Sequence, residues 1–212
     1  MMKGSILTVI SIFLMAICCS QPPKSFTKEE LAIIHGTDSI MRVLTIESEE
    51  DMSVLRSSSS DLSDDALLSD DYTRLCSLMI ATVTHPSQDG VGIAGPQVGL
   101  NRRIVAVQRF DKEGYPFEVY PNIRIAWASD SLSAGSEGCL SVPDRSEEVL
   151  RSQEIIIEYT DIGRGRSESD LELKVGTSSP LPTIRETING FTAVIFQHEI
   201  DHLEGILYID RL

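Results

Sequence analysis

The six residues QHEIDH at positions 197–202 constrain this chain more than any other part of its sequence. His198 and His202 stand four residues apart, so a helix places both imidazoles on one face with the carboxylate of Glu199 beside them. The surrounding stretch, Asn189 to Glu204, is apolar on nearly all sides and predicts a buried helix. Because buried His and Glu side chains need partners, this motif indicates a metal site rather than chance spacing.

Two histidines supply only part of a metal's coordination shell. In one class of zinc peptidases the pattern HExxHxxGxxH supplies a third histidine, but Tyr208 occupies that position here. Another class takes a Glu beyond the motif, and Asp210 is the only carboxylate that follows Gly205. The third ligand is therefore expected upstream of the helix.

The upstream candidates are His35, His85, Cys76, Cys139 and the carboxylates. His35 lies in a polar segment and His85 precedes a proline, which is typical of surface histidines. Cys76 falls in an apolar helical pattern that favours a buried thiol. Cys139 lies in GSEGCLSVP, where small flanking residues favour a tight turn at a strand edge. Two imidazoles and one thiolate would leave a fourth position open for water, as in catalytic sites.

The composition predicts one domain with its own core, since the chain has 212 residues of which 42% are hydrophobic. Its formal net charge is −14. A nucleic-acid-binding protein would need clustered Lys and Arg to neutralise phosphates, and the sequence has no such cluster. Nucleic acid is therefore excluded as a partner.

The N-terminus carries Lys3 and then an apolar run from Ile6 to Ile17. This run is too short to span a bilayer and suits the apolar region of a secretory signal. Cys18 or Cys19, directly after it, resembles the acylated cysteine of a bacterial lipoprotein. We expect export and lipid anchoring in a bacterial envelope. An uncleaved anchor, or a cytoplasmic protein with a wrongly assigned start, is the alternative.

The rest of the sequence predicts an α+β fold with short antiparallel sheets packed around the C-terminal helix. Residues 21–71 are polar and predict a tether and surface loop, followed by a helix from about Ala66 to Thr84. The runs RRIVAVQRF, FEVYPNIRIAWA and QEIIIEYTDI predict strands, and their spacing favours antiparallel pairing. The stretch GRGRSESDLELKVGTSSPLPT predicts a long hairpin or loop.

Three separated motifs occur in one order: GVGIAGPQ at Gly90–Gln97, EGCLS at Glu137–Ser141, and QHEIDH. With them the chain resembles the peptide deformylase family from Ile40 to Leu212. We therefore expect three parts: an export segment at 1–20 and a tether at 21–39, both read from their composition, and a catalytic domain at 40–212 that resembles peptide deformylase.

The resemblance implies that Cys139, His198 and His202 bind one divalent metal ion, and that Glu199 is the catalytic acid and base. The family typically uses Fe(II), although Zn(II), Ni(II) and Co(II) also suit a thiolate with two imidazoles. The implied reaction is removal of the formyl group from N-formylmethionyl peptides, with release of formate. Alternatives are an envelope metallopeptidase and a non-catalytic lipoprotein that uses the metal as a structural staple.

The resemblance also implies that Gln97 and the backbone N–H of Leu140 hold the developing oxyanion. The side chain of Val91 and the backbone of Gly92 would line a strand-like slot for the peptide. We further expect Glu137 and Arg151 to form an ion pair that positions the turn at Cys139.

Three positions depart from the family pattern. Gly95 stands where the family usually has Ala, which predicts a small loss of rigidity. Ser146 stands where the family often has a peptide-binding Arg, although Arg145 is one residue before it. The segment from Asp161 to Gly190 is longer than usual, and we interpret it as an insertion rather than a lid.

Overall fold

The structure is a computed structural model that describes residues 24–163 and 180–212. The expected export segment, including Cys18 and Cys19, lies outside these residues, as do residues 164–179 of the expected insertion. Within the described ranges, no helix has both the length and the apolar character that a bilayer span requires.

The described residues form five α-helices, numbered here in chain order. They are α1 (Lys28–His35), α2 (Glu49–Leu55), α3 (Asp64–Leu67), α4 (Asp70–Val83) and α5 (Gly190–Leu203). Two short 3₁₀ helices occupy Gly95–Val98 and Tyr208–Arg211.

Eight strands follow the same numbering. They are β1 (Gly92–Ala94), β2 (Ile104–Gln108), β3 (Phe117–Pro121), β4 (Arg124–Ala128), β5 (Leu132–Cys139), β6 (Val142–Ser152), β7 (Glu154–Thr160) and β8 (Thr183–Asn189).

The strands form three small antiparallel sheets, in the orders β1-β2-β3, β4-β7-β8 and β5-β6. Helix α5 contacts strands of all three sheets. The prediction of an α+β fold, with short antiparallel sheets around the C-terminal helix, is confirmed.

The core consists mainly of two apolar clusters on either side of the first sheet. One packs α1 and α4 against it, with Ile34, Leu75 and Met79 fully buried. The other packs α5 against the second sheet, with Ile155 and Phe196 fully buried. Because α5 carries the QHEIDH motif, this second cluster fixes where the motif lies.

The N-terminal part of the chain is more ordered than the polar composition suggests. Residues 21–71 were expected to form a tether and surface loop, but α1, α2 and α3 lie in this range. Several of the apolar residues there are buried, and Ile34, Leu55 and Leu62 have no exposed surface. Low average hydrophobicity therefore concealed a packed segment.

Two further expectations differ from the structure. The helix expected from Ala66 to Thr84 is split, because Ser69 accepts a hydrogen bond from the Tyr72 N–H and starts α4 as a new helix. The long loop expected after Asp161 contains β8, whose residues pair with β7. The β5–β6 hairpin had no sequence signal, since most of β5 is polar, small and exposed.

Candidate metal centre

Helix α5 is held at both ends by local geometry. Asn189 occupies the N-cap position, and Gly190 has a positive φ of 62°. Beyond the helix, Gly205 has a φ of 73°, and a Cβ there would lie 2.4 Å from the carbonyl oxygen of Arg56. Only glycine fits this turn, so the helix ends where the sequence predicted.

The structure brings together the three expected ligands. One ligand atom from each of Cys139, His198 and His202 lies within 4.8 Å of the others. The Cys139 Sγ is 3.2 Å from the His202 Nε2. Cys139 is the last residue of β5, where a register shift after Gly138 turns the chain back into β6. This bulge aims the sulfur at α5.

A chain of buried charges orients His198. Its Nδ1 donates to the Glu137 Oε2 over 2.8 Å, which leaves Nε2 as the nitrogen for an ion. Arg151 donates to both Glu137 oxygens over 2.7 and 2.9 Å, and to Asp201 over 2.6 Å. Burial raises the pKa of Glu137, but the hydrogen bonds from Arg151 and His198 lower it further, to about 2. Glu137 is therefore a carboxylate at neutral pH.

The residues present fit a divalent metal ion. Burial, together with the charge on His198, lowers the pKa of His202 well below its usual value, so this ring is neutral. A neutral imidazole, an oriented imidazole and a cysteine sulfur that converge on one point are a donor set for a soft or borderline ion. Three protein ligands leave a further coordination position for water or substrate.

Glu199 is buried beside these ligands, and its Oε2 has no hydrogen-bond partner among the described residues. Burial raises its pKa to about 7, although the charge on His198 lowers it. A Cβ at Gly92 would lie 2.4 Å from the Glu199 Oε1. The glycine therefore leaves the space that the carboxylate occupies.

Gln97 is fixed so that its amide NH₂ faces the cluster. Its Oε1 accepts from the Ala94 N–H over 2.9 Å. Its Nε2 lies 3.2 Å from the Ser141 Oγ and 3.5 Å from the Cys139 Sγ. Because the amide oxygen is already used, the side chain presents donors to the cavity.

A cavity of about 350 Å³ opens above the cluster. Its walls come from the segment before and within β1, from the first 3₁₀ helix, from β5 and the turn after it, and from α5. They include Val91, Gly92, Gln97, Leu140 and Glu199. β1 and β5 are each edge strands of their sheets in the described residues. An extended peptide can pair with such an edge, so this cavity has the form of a slot for a peptide.

The other candidate ligands lie elsewhere. His35 is 2.7 Å from Asp71, and His85 contacts Ser87, both at the surface. Cys76 is buried in α4. Downstream of the motif, the Tyr208 hydroxyl donates to the Arg145 carbonyl over 2.9 Å, and Asp210 pairs with Arg56. None of these residues joins the cluster.

Sequence reasoning missed several residues that support the site. Gln197 exchanges two hydrogen bonds with the Ser152 backbone, of 3.0 and 2.9 Å. Asp201 links Arg151 to Arg211. Gln197 and Asp201 are polar residues within a helix that the sequence predicts to be buried. Because buried polar groups need partners, their positions could have indicated these links. Phe191 lies in the stretch that was expected to form a buried helix, but it is 57% exposed and lines the cavity.

The departure at Gly95 has a steric reason. A Cβ there would lie 2.7 Å from the carbonyl oxygens of Arg102 and Leu100. In this chain the glycine is required by close backbone approach, so the expected small loss of rigidity is not its main effect. Ser146, the other departure, is exposed, and its Oγ lies 2.7 Å from the Ser136 Oγ.

Comparison with known proteins gives one consistent family. The family model described as polypeptide deformylase matches residues 40–175 and 176–212. The peptide deformylase of Leptospira biflexa is 34% identical over 166 residues, which cover 75% of this chain and 82% of that protein. Peptide deformylase 2 of a Nostoc species is 39% identical over 140 residues, covering 63% and 68% respectively.

Solved structures give the same result. A class I type b peptide deformylase from Acinetobacter baumannii superposes with a TM-score of 0.66 at 30% identity. That match covers 82% of this chain and 100% of the other. The Met-Ala-Ser complex of the Acinetobacter baumannii protein gives a TM-score of 0.66 at 28% identity, covering 83% and 100%.

Proposed function

This chain belongs to the peptide deformylase family, and from that premise we propose a role for each residue of its metal centre. It is a metal-dependent hydrolase that removes the formyl group from N-formylmethionyl peptides and releases formate. The observation that carries the assignment of roles is the convergence of Cys139, His198 and His202 within 4.8 Å, beside a buried Glu199.

Cys139, His198 and His202 hold the ion, and iron(II) is the metal proposed. One soft thiolate and two imidazoles suit iron(II) as well as Zn(II), Ni(II) and Co(II), and the family resemblance favours iron. When bound, the ion supplies Lewis acidity that makes water nucleophilic near neutral pH. Glu137 and Arg151 support the site by fixing the orientation of the His198 ring.

Glu199 is the general base and then the general acid. Its burial raises the pKa of this carboxyl group, which suits a group that must both accept and return a proton. It takes the proton from the attacking water and passes it to the leaving amine, so that formate and a free N-terminus result. The space left by Gly92 permits the carboxylate to reach the cavity.

Gln97 and the backbone N–H of Leu140 donate to the carbonyl oxygen as negative charge develops on it. Both residues line the cavity, and the Gln97 amide is held with its NH₂ group towards the ligand cluster. Donors already in place cost no reorganisation during the reaction, and each is typically worth about 3 kcal/mol.

The substrate lies extended between β1 and β5, with Val91 and Gly92 along one side. The edges of both strands border the cavity, which supports main-chain pairing with a peptide. The Met-Ala-Ser complex of the related Acinetobacter baumannii protein supports a peptide that begins with methionine.

The test is formate release from formyl-Met-Ala-Ser by protein prepared anaerobically with Fe(II), beside the Glu199→Gln variant. We expect turnover by the wild type and a fall of about 10²–10⁴-fold in kcat for the variant, with metal content unchanged. An unblocked peptide of the same sequence is the control. Cleavage of its internal bonds would favour the metallopeptidase alternative, and equal metal binding without turnover of either peptide would favour the structural staple.

The proposed metal ligands have a separate readout. Co(II) bound by a thiolate and two imidazoles in four-coordinate geometry gives a characteristic visible and charge-transfer spectrum. We expect this spectrum from the wild type and loss of its thiolate band in Cys139→Ser. A spectrum unchanged in that variant would remove Cys139 from the ligand set.

The location proposed for this enzyme is the bacterial envelope, with lipid attached at Cys18 or Cys19. The support is the sequence itself: Lys3, the apolar run from Ile6 to Ile17 and the two cysteines after it. An exported form would act on secreted or scavenged formyl peptides. Labelled palmitate should enter the full chain, and a Cys18→Ser, Cys19→Ser double variant should not take it up. Recovery of the full-length wild type in the cytosol alone would contradict export.

A further inference from the structure

A second cavity adjoins the catalytic one. It has a volume of about 680 Å³, and it shares Ser136, Phe191 and Val194 with the wall of the first cavity. The remaining walls come from the turn before β5, from β5 itself, from the junction of β6 with β7 and from the junction of β8 with α5. The two cavities therefore meet along one border.

Helix α5 locates this border relative to the reacting centre. Val194 and Phe191 precede His198 by four and seven residues, so all three lie on one face of the helix. A rise of 1.5 Å per residue places them about 6 and 10 Å from His198 along the helix axis. A formylated residue whose carbonyl reacts beside His198 and Glu199 can direct its side chain along this face. A side chain of methionine's length ends near the border.

On the side of β5, the border between the two cavities is formed by Ser136, which follows Gly135. A Cβ added at Gly135 would meet no atom within 4 Å, and the same holds at Gly190. The φ of Gly135 is not in the left-handed region, so its lack of a side chain is not required by the backbone. Gly135 lines the second cavity and not the first. A side chain at Gly135, next in the chain to the shared residue Ser136, would therefore have free space beside the second cavity.

Many hydroxyl and amide side chains border the second cavity. Its lining includes Ser129, Ser131, Ser133, Ser152, Gln153 and Asn189. Asn189 holds the N-cap position of α5 without making a capping hydrogen bond. Glu154 is the one charged residue in this lining, and it pairs in the sheet with Asn189, the N-cap residue of α5. The cavity therefore offers hydrogen bonds to an uncharged polar end, and its one carboxylate would repel an anion.

We propose that this second cavity extends the pocket for the first side chain of the substrate. The enzyme then accepts N-formyl peptides whose first side chain has methionine's length and an uncharged polar end, such as methionine sulfoxide or glutamine. A closed apolar pocket would discriminate against such an end by about 30-fold or more, because the polar group loses its hydrogen bonds. Here the end remains hydrated or bonds to serine hydroxyls. This inference rests on the proposed function.

The experiment compares kcat/KM for formyl-Met-Ala-Ser with kcat/KM for the same peptide carrying methionine sulfoxide or glutamine first. For the wild type we expect the polar peptides to react within about tenfold of the methionine peptide. A glutamate peptide, which has the shape of the glutamine peptide, should react far more slowly because its carboxylate is repelled by Glu154.

Gly135→Leu closes the border, and it should increase the preference for methionine over both polar peptides at least tenfold. Ser133→Leu, in the second cavity alone, is the second variant if the first does not fold. Thr187→Leu adds bulk to an exposed position of β8 outside both cavities, and it should leave the preference unchanged.

The outcomes distinguish a failure of the extended side-chain pocket from a failure of the proposed function. If the wild type prefers methionine more than 1000-fold, or if both closing variants slow all peptides equally, the inference is overturned while the proposed function stands. If even the methionine peptide releases no formate, the proposed function fails instead.

Discussion

At the scale of single residues, the position of Glu199 depends on an absent side chain. A Cβ added at Gly92 would lie only 2.4 Å from the Glu199 Oε1, so it would overlap with the carboxylate. A glycine in the middle of a short strand is normally a weakness, since it adds no packing. Here it permits a buried acid to reach the cavity.

Gly92→Ala should therefore impair catalysis more than stability. The added methyl displaces the Glu199 carboxylate, and we expect kcat to fall at least tenfold while the melting temperature and metal content stay near wild-type values. Formate release, thermal unfolding and metal analysis check this. Wild-type kcat in the variant would show that the carboxylate has room elsewhere.

Gln97→Ala tests the amide donor beside Cys139. Loss of one preorganised donor typically costs 10²–10³-fold in kcat, and we expect a fall of about that size with little change in KM. Steady-state kinetics with formyl-Met-Ala-Ser measures both constants. A rise in KM with unchanged kcat would instead assign Gln97 to substrate binding.

At the scale of elements, α5 is held in place by polar links on its buried side. Gln197 bonds to the backbone of Ser152 in β6, and Asp201 bonds to Arg151 in β6 and to Arg211 beyond the helix. Asp201 and Arg151 are both buried. These links set the depth and rotation of the helix that carries His198 and His202.

The bonds of Asp201 to Arg151 and to Arg211 should contribute unequally to the free energy of unfolding. Asp201→Asn leaves the buried Arg151 without one of its two carboxylates, and we expect it to cost about 3 kcal/mol of unfolding free energy. Arg211 is 41% exposed, so Arg211→Gln should cost less than about 1 kcal/mol. Urea unfolding of the metal-free proteins measures both. Equal losses would mean that Arg211, not Arg151, anchors the carboxylate.

At the scale of the whole molecule, one buried arginine joins two of the three sheets. Arg109 follows β2 and bonds to Asp111, to Glu118 and Tyr120 of β3, and to Glu186 of β8. Its side chain is almost fully buried. The first and second sheets are thus tied together by charge on the side opposite α1.

This cluster should make stability fall in acid. Hydrogen bonds from Arg109 lower the pKa of Asp111 below its ordinary 3.8. Burial raises the pKa of Glu118, but bonds from Lys112 and Tyr120 lower it below 4.5. Because both pKa values are depressed in the folded state, unfolding takes up protons as the pH falls. The stabilisation is complete above about pH 5 and is lost as the pH falls through the folded pKa values.

Urea unfolding between pH 7 and pH 3 checks this expectation. The unfolding free energy of the wild type should decrease over this range, and Asp111→Asn should flatten the decrease while lowering stability at pH 7. The matched control is Asp130→Asn, an exposed carboxylate in the turn before β5, which should leave the profile unchanged. An identical profile in wild type and Asp111→Asn would exclude this carboxylate as a source of the pH dependence.

The sequence by itself determined the parts that depend on local pattern. The period of α5, the apolar runs of β2, β3, β4 and β7, and the α+β class were predicted and are confirmed. The family and its reaction followed from three short motifs and are confirmed by the comparisons. Each of these needs only residues that are neighbours in the chain, so their order in the sequence carries the information.

Only the tertiary structure decided which distant residues meet. It formed the β5–β6 hairpin, buried Ile34 in a polar segment, placed Gly92 against Glu199, and added Asp201 to the expected pair of Glu137 and Arg151. Gly92 and Glu199 are more than a hundred residues apart in the chain. Polar and small residues carry no periodic signal of their own. Their partners are fixed only when packing of the apolar clusters has set the distances. Arrangements that leave a buried charge unpaired, or that overlap atoms, are then excluded because they would destabilise the folded state too strongly.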